Sequence, residues 1–274
     1  MKIGYLGPQG TFSEQAVLKI SGVDETIAFS TISEVISSVE TGKTDKCVVP
    51  IENSTEGCIN ITVDSMIFDT NLYIQGQINL PIEQNLMIKE ETDPGKITKI
   101  YSHPQGLAQC RMFLQKNYPS AELISTNSTA DGGKIVKNSE DSCAAIGLLR
   151  VSEIYGLKIL HKSIQDNNQN FTMFAVLSKN DTTKELSNAK TSIAFSTDNS
   201  PGMLCKILNL FDVWDINMTK IISRPFRNKS EEYVFFADLE SNGSSNDLRN
   251  CLEMVSRKTS FFKNLGSYPV YDYR

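Results

Sequence analysis

Five stretches hold residues whose types and spacing could do chemistry. The first is Gly7-Pro8-Gln9-Gly10-Thr11-Phe12-Ser13, directly after an apolar run. Its two glycines permit a tight turn and a close backbone approach to a ligand. A helix beginning at its end offers free N–H groups and a positive dipole end, suited to a carboxylate or phosphate. Thr11 and Glu14 also have capping-box spacing, which is compatible, because a cap takes only one of several free amides. The second is Val49-Pro50-Ile51-Glu52-Asn53-Ser54-Thr55-Glu56-Gly57, five consecutive polar residues at the end of an apolar strand. Glu52 reads either as a carboxylic acid held neutral by burial or as a hydrogen-bond anchor. Asn53 offers both a donor and an acceptor. The third is Ser102-His103-Pro104-Gln105, followed by Gln109-Cys110. Pro104 suits a first helical position, which makes His103 the cap, and Gln105 and Gln109 then share one helix face. Ser128-Thr129-Ala130-Asp131 opens another helix in the same way. The fifth is an amide-rich turn, Gln165–Asn170, that feeds a strand in which Thr172 and Phe174 face one way and Phe171, Met173 and Ala175 the other. Taken alone, Thr172 is an ordinary β-branched strand residue.

Together these are the parts of a site for a small polyanion, dominated by hydroxyls, amides and helix N-termini. Such a site orients a substrate already poised to react and donates hydrogen bonds to it. The sequence carries no cofactor signature, since the glycine turn has neither the dinucleotide fingerprint nor a P-loop lysine. With only two histidines, and six cysteines at no metal-ligand or redox spacing, no metal is expected. Most of the cysteines sit among apolar neighbours and read as reduced core residues. The net charge is −5 and no block of Lys or Arg occurs, which argues against nucleic acid as a partner. No apolar run reaches membrane-spanning length, and the first residues are too short and strand-like for a signal peptide, so a cytoplasmic protein is expected.

The elements that must position these residues follow an α/β pattern. Strands are expected at 2–6, 26–30, 46–51, 72–80, 84–89, 99–102, 121–126, 142–147, 158–163 and 171–177. Helices are expected at 13–20, 32–40, 59–68, 104–117, 129–138 and 148–155, giving mostly parallel sheets. Ligands in such folds bind beyond the carboxyl ends of strands, which points to the loops after Leu6, Ile51, Ser102 and Thr126. A polar, turn-rich stretch at 179–189 reads as a linker. Beyond it the pattern is β-α-β-β-α-β, a ferredoxin-like unit.

In their order and combination, the motifs resemble prephenate dehydratase. The carriers are Gly7-Pro8-x-Gly10-Thr11-Phe12-Ser13, Val49-Pro50-Ile51-Glu52-Asn53-Ser54, Ser102-His103-Pro104-Gln105 with Gln109-Cys110, Ser128-Thr129-Ala130, and Asn170-x-Thr172-x-Phe174. After the linker, Asn199-Ser200-Pro201-Gly202-Met203-Leu204, Thr219-Lys220-Ile221-Ile222-Ser223-Arg224-Pro225 and Leu265-Gly266-Ser267-Tyr268-Pro269 resemble the ACT regulatory domain of that family.

The resemblance implies a catalytic domain over 1–180, built of two lobes similar to periplasmic binding proteins, and an ACT domain over 190–268. It implies loss of CO2 and the ring hydroxyl from prephenate, giving phenylpyruvate, with L-phenylalanine as allosteric effector at an ACT dimer interface. A homodimer or homotetramer is then expected. On this reading Thr172 donates to the leaving hydroxyl, with Glu52 as the competing proton source. Asn53 and Gln109 complete the catalytic set. Thr11, Ser13, Ser54, Ser102, Ser128, Thr129 and Phe174 contact substrate, and Asn199, Gly202, Met203, Leu204 and Ser223 bind the effector. Two positions depart from the family pattern: Met173 stands where arginine is usual and Ile222 where glutamate is usual. Methionine cannot hold a carboxylate, and alternation turns it away from Thr172. Arogenate dehydratase and a non-catalytic amino-acid-binding regulator are the alternatives, and the intact polar set speaks against the latter.

Overall fold

The computed structural model describes residues 1–181, 189–227, 232–241 and 245–274. The chain opens with β1 (Lys2–Leu6), α1 (Phe12–Val17), β2 (Glu25–Phe29), α2 (Ile32–Glu40), β3 (Lys46–Asn53) and the short β4 (Gly57–Cys58). Next come α3 (Asn60–Asp64), which runs into a π turn (Ser65–Asp69), and β5 (Tyr73–Pro81). The expected single helix over 59–68 is thus an α-helical turn widened at its end. A second unit follows: β6 (Asn85–Ile88), β7 (Lys99–Ser102), α4 (Pro104–Gln109), α5 (Arg111–Asn117), β8 (Glu122–Ser125), α6 (Thr129–Asn138), β9 (Cys143–Gly147), α7 (Leu149–Tyr155) and β10 (Lys158–His161). β11 (Phe171–Ser178) then returns to the first sheet, between β3 and β5.

The expectation of mostly parallel sheets is corrected. β1 pairs in parallel with β2 and β3, but β11 is antiparallel to both of its neighbours. In the second sheet β7 is parallel to β8 and β9, whereas β6 is antiparallel to β9 and β10. Parallel order needs a crossover within one sheet. β6 and β11 are the strands by which the chain enters and leaves the second unit, so no such crossover constrains them. The expected helix over 104–117 is also two helices. The backbone turns at Cys110 (φ −114°, ψ 17°), and the Asp166 carboxylate accepts from Met112 N at 3.0 Å to cap the second piece.

The expected linker, 179–189, lies outside the described residues at 182–188. Beyond it come β12 (Lys190–Ser196), α8 (Met203–Val213), β13 (Ile216–Pro225), β14 (Tyr233–Ser241), α9 (Ser245–Lys258) and β15 (Phe261–Tyr268). They form an antiparallel sheet in the order β13-β14-β12-β15. Strand alternation divides its side chains. Ile193, Phe195, Ala237 and Leu239 face the helices and pack on Ile207, Phe211, Cys251 and Val255. Ala194, Val234, Phe236, Leu265 and Tyr268 face the other way, into one cluster with Val35, Val49, Val63, Met66 and Leu177 of the first unit. The central strand β12 is thus covered on both faces by apolar side chains, whereas the edge strand β13 exposes alternate residues.

Ionic contacts reinforce that joint. Arg224 holds Asp64 through two bonds of 2.6 and 2.7 Å, and Arg227 pairs with Asp69. Lys263 Nζ donates to the carbonyls of Met66 (2.8 Å), Ile67 (3.2 Å) and Thr70, at the end of the π turn. The chain ends by adding β16 (Val270–Asp272), unforeseen in the sequence, as a parallel edge strand beside β5. Gly266 makes this return possible. Its φ is +118°, and a Cβ there would lie 2.8 Å from Ile74 O. Gly266→Ala is therefore expected to cost about 1–3 kcal/mol of stability in a denaturant titration.

Candidate active site

The carboxyl-terminal loops of the two α/β units face one another across a cavity of about 370 Å³. Its walls include Thr11, Phe12 and Ser13 from the start of α1, Asn53 from β3, and His103, Gln105 and Gln109 from α4. Ser128 and Thr129 from α6, and Thr172 and Phe174 from β11, complete them. All four loops named from the sequence meet here. No lysine or arginine lines the cavity among the described residues.

The helix starts are prepared for an anion. Thr11 caps α1 by accepting from Glu14 N at 3.4 Å, and the buried Glu14 carboxylate accepts from Gly10 N at 2.7 Å. Ser128 caps α6 by accepting from Asp131 N at 3.0 Å. His103 Nδ1 accepts from Gln105 N at 3.3 Å, so His103 acts as a cap and its ring is fixed as the Nε2–H tautomer. These caps leave the amides of Phe12, Ser13, Gly106, Thr129 and Ala130 without protein acceptors among the described residues. They supply positive potential in a chain that is negative overall.

Thr172 is the best-defined group. It is 8 % exposed, and its Oγ1 accepts from Asn53 Nδ2 at 3.0 Å. The orientation of the Asn53 amide is fixed, because its Oδ1 accepts from Thr55 N (2.9 Å) and Glu56 N (3.2 Å). Its N–H side must therefore point at Thr172. A hydroxyl that already accepts there has its own proton free for the cleft. A clasp holds the two strands in this register: Asn170 Oδ1 accepts from Ser54 Oγ (3.0 Å) and Thr55 Oγ1 (3.1 Å), while Ser54 Oγ accepts from Phe171 N (3.0 Å). The amide-rich turn before β11 is thus the return crossing between the units. Asn170 O accepts from Ile82 N at 2.9 Å, which ties it to the outward crossing.

Three sequence-derived assignments are corrected. Glu52 does not line the cavity; its carboxylate is ion-paired with Lys220 of β13. In strand β3 it points opposite to Asn53, so it meets the C-terminal unit and is removed from the role of proton source. Ser54 reaches the strand clasp rather than the cavity. Ser102 is fully buried, and its Oγ donates to Ile146 O at 2.9 Å, beneath Gly106. Met173, as alternation implied, leaves the cleft, and it packs against the same apolar cluster as Ile222. Both departures from the family pattern are therefore apolar residues at an apolar joint.

Sequence reasoning missed Gln84, Ile82, Asn127 and Cys58, which all line the cavity. Gln84 and Asn85 are a polar pair opening an apolar strand, a signal that went unread. Burial pushes the Cys58 thiol up from its usual range. Of the cysteines, Cys47, Cys110, Cys143 and Cys251 are buried, whereas Cys205 is exposed. Away from the cleft, Asn199, Gly202 and Met203 stand at the entrance to α8, with Gly202 in the left-handed region (φ +79°). Leu204, in the first turn of α8, packs against the core of the C-terminal unit, and Ser223 is exposed on the edge strand β13. No helix among the described residues is long and apolar enough to cross a membrane.

The fold and cleft define an α/β protein with a cavity between two units, lined by amides and hydroxyls of a kind suited to a small polar anion. Residues 3–182 match the family model for prephenate dehydratase. A bifunctional chorismate mutase/prephenate dehydratase of Aquifex aeolicus (strain VF5) is 40 % identical over 270 residues, covering 98 % of this chain and 74 % of the relative. A prephenate dehydratase of Lactococcus lactis subsp. lactis (strain IL1403) is 39 % identical over 276 residues, covering 99 % and 98 %. Among solved structures, a prephenate dehydratase from Arthrobacter aurescens in complex with L-Phe superposes with a TM-score of 0.90 at 28 % identity, covering 98 % of this chain and 90 % of that one. The chain belongs to the prephenate dehydratase family.

Proposed function

We propose that this protein eliminates water and CO2 from prephenate to give phenylpyruvate, with Thr172 as the hydrogen-bond donor to the departing hydroxyl. The observation that carries the mechanism is the fixed Asn53 amide, which occupies the acceptor side of Thr172 Oγ1 and turns its proton to the cleft. In the reaction, the bond from the ring to its carboxylate breaks and its electron pair enters the ring. The C–O bond to the ring hydroxyl breaks in response, CO2 departs, and the hydroxyl takes the proton of Thr172 Oγ1, which solvent replaces, to leave as water. Aromatisation supplies the driving force. The protein must hold a dianion and stabilise charge as it grows on the leaving oxygen, which a pre-oriented donor in a dry site does well. The free amides of α1 and α6 suit the two carboxylates. Gln109 is assigned to the same machinery. Thr11, Ser13, Ser128, Thr129 and Phe174 are assigned to substrate contact.

On this reading residues 1–180 are a cytoplasmic catalytic domain, two lobes of the periplasmic-binding-protein kind. Residues 190–268 are an ACT domain that pairs with a second copy in a homodimer or homotetramer. The exposed edge strand β13 and the entrance of α8 would then meet a second chain and bind L-phenylalanine through Asn199, Gly202, Met203, Leu204 and Ser223. The L-Phe complex of the Arthrobacter aurescens relative supports this.

The test is incubation of purified protein with prephenate and, separately, arogenate. Phenylpyruvate from prephenate is expected, with little phenylalanine from arogenate; no phenylpyruvate would overturn the catalytic reading. Added L-phenylalanine is expected to lower the rate and raise the melting temperature. A response in neither would overturn the regulatory reading alone.

A further inference from the structure

We infer that Gln84 is a further substrate-contacting residue, whose side-chain carbonyl accepts the hydrogen bond of the ring hydroxyl that leaves. The inference rests on the prephenate reading above. Gln84 is 2 % exposed and lines the cleft, on the outward crossing just before β6. Its backbone is fully engaged: N donates to Gln165 Oε1 at 2.9 Å, and O accepts from Ile164 N at 2.8 Å. Its Nε2 donates to Gln109 Oε1 at 3.1 Å. Its Oε1 is buried and has no partner among the described residues.

A buried acceptor without a donor is costly, and native folds keep few of them. At a ligand cleft the missing donor belongs to the ligand. Prephenate as a dianion narrows the choice, because its two carboxylates and its keto group can only accept. The ring hydroxyl is its one donor. The Gln84 carbonyl therefore has a single complementary group on the substrate. With Thr172 donating to the hydroxyl oxygen and Gln84 accepting its hydrogen bond, the C–O bond is held at both lone pair and hydrogen. Gln84 exchanges no proton in the step; it fixes the direction in which the leaving group departs. Gln109, paired to Gln84 through its carbonyl, keeps N–H capacity for the oxygens of the substrate.

The product supplies the control, since phenylpyruvate has lost the hydroxyl. Gln84→Met, of similar length and without an acceptor, is expected to lower kcat/KM on prephenate about tenfold or more. The inhibition constant for phenylpyruvate should stay within about twofold, which a merely structural role would not allow. Gln84→Asn keeps an amide but draws its oxygen back by one methylene; it should show the same split and serves if Gln84→Met does not fold. Equal losses towards prephenate and phenylpyruvate in the folded variant, or no loss towards either, would overturn the assignment. Failure of the unaltered protein to convert prephenate would instead overturn the functional reading beneath it.

Discussion

Thr172→Val should lower kcat on prephenate by about a hundredfold or more, with KM changed by no more than about threefold. Valine matches threonine in shape and keeps the strand, so the variant removes only the hydroxyl: the donor to the cleft and the acceptor for Asn53 Nδ2. The loss falls on kcat because the hydrogen bond strengthens only as charge develops on the leaving oxygen. Steady-state kinetics on prephenate, with denaturant unfolding as a control for stability, measure it. A variant that turned over at near the unaltered rate would remove Thr172 from the mechanism.

Asn53→Asp should be as damaging, although it changes one heavy atom. The carboxylate can still accept from the amides of Thr55 and Glu56, so the turn after β3 survives. Towards Thr172 the sign of the interaction reverses. Asn53 donates to Thr172 Oγ1, whereas an aspartate would accept from it and draw the hydroxyl proton away from the cleft. The added negative charge would also repel a dianionic substrate in a cleft without Lys or Arg among its described lining residues. A fall in kcat of about a hundredfold is expected, and here KM should rise as well. Measuring both parameters separates the reversed hydrogen bond from the repulsion.

Local signals gave the sequence much of its legibility. Capping residues, glycine turns and strand alternation are short-range, so the loops at Gly7, Asn53, His103 and Ser128 could be read one at a time and placed at one end of an α/β body. Alternation also turned Thr172 and Met173 to opposite faces, as they stand in the structure. Assignments that depended on distant partners were the ones to fail. Glu52 stands beside Asn53 in sequence, yet its partner is Lys220, 168 positions away by numbering, on a strand of the C-terminal unit. Ser102 reads as a site hydroxyl until Ile146 and Gly106 close over it. β16 has three residues and no partner nearby in sequence, so only the folded sheet edge reveals it. Gln84 went unread because a glutamine at the head of a strand looks solvated until the second unit folds over it.

The central claim is that Asn53 acts through the hydroxyl of Thr172. A double-mutant cycle on kcat tests it most directly, with Thr172→Val, Asn53→Asp and the two combined. Once the hydroxyl is gone, reversing the polarity of its partner has nothing left to misdirect. The combined variant should turn prephenate over within about threefold of Thr172→Val alone. Losses that multiply, to about ten-thousandfold for the pair, would show the two side chains acting independently and contradict the account.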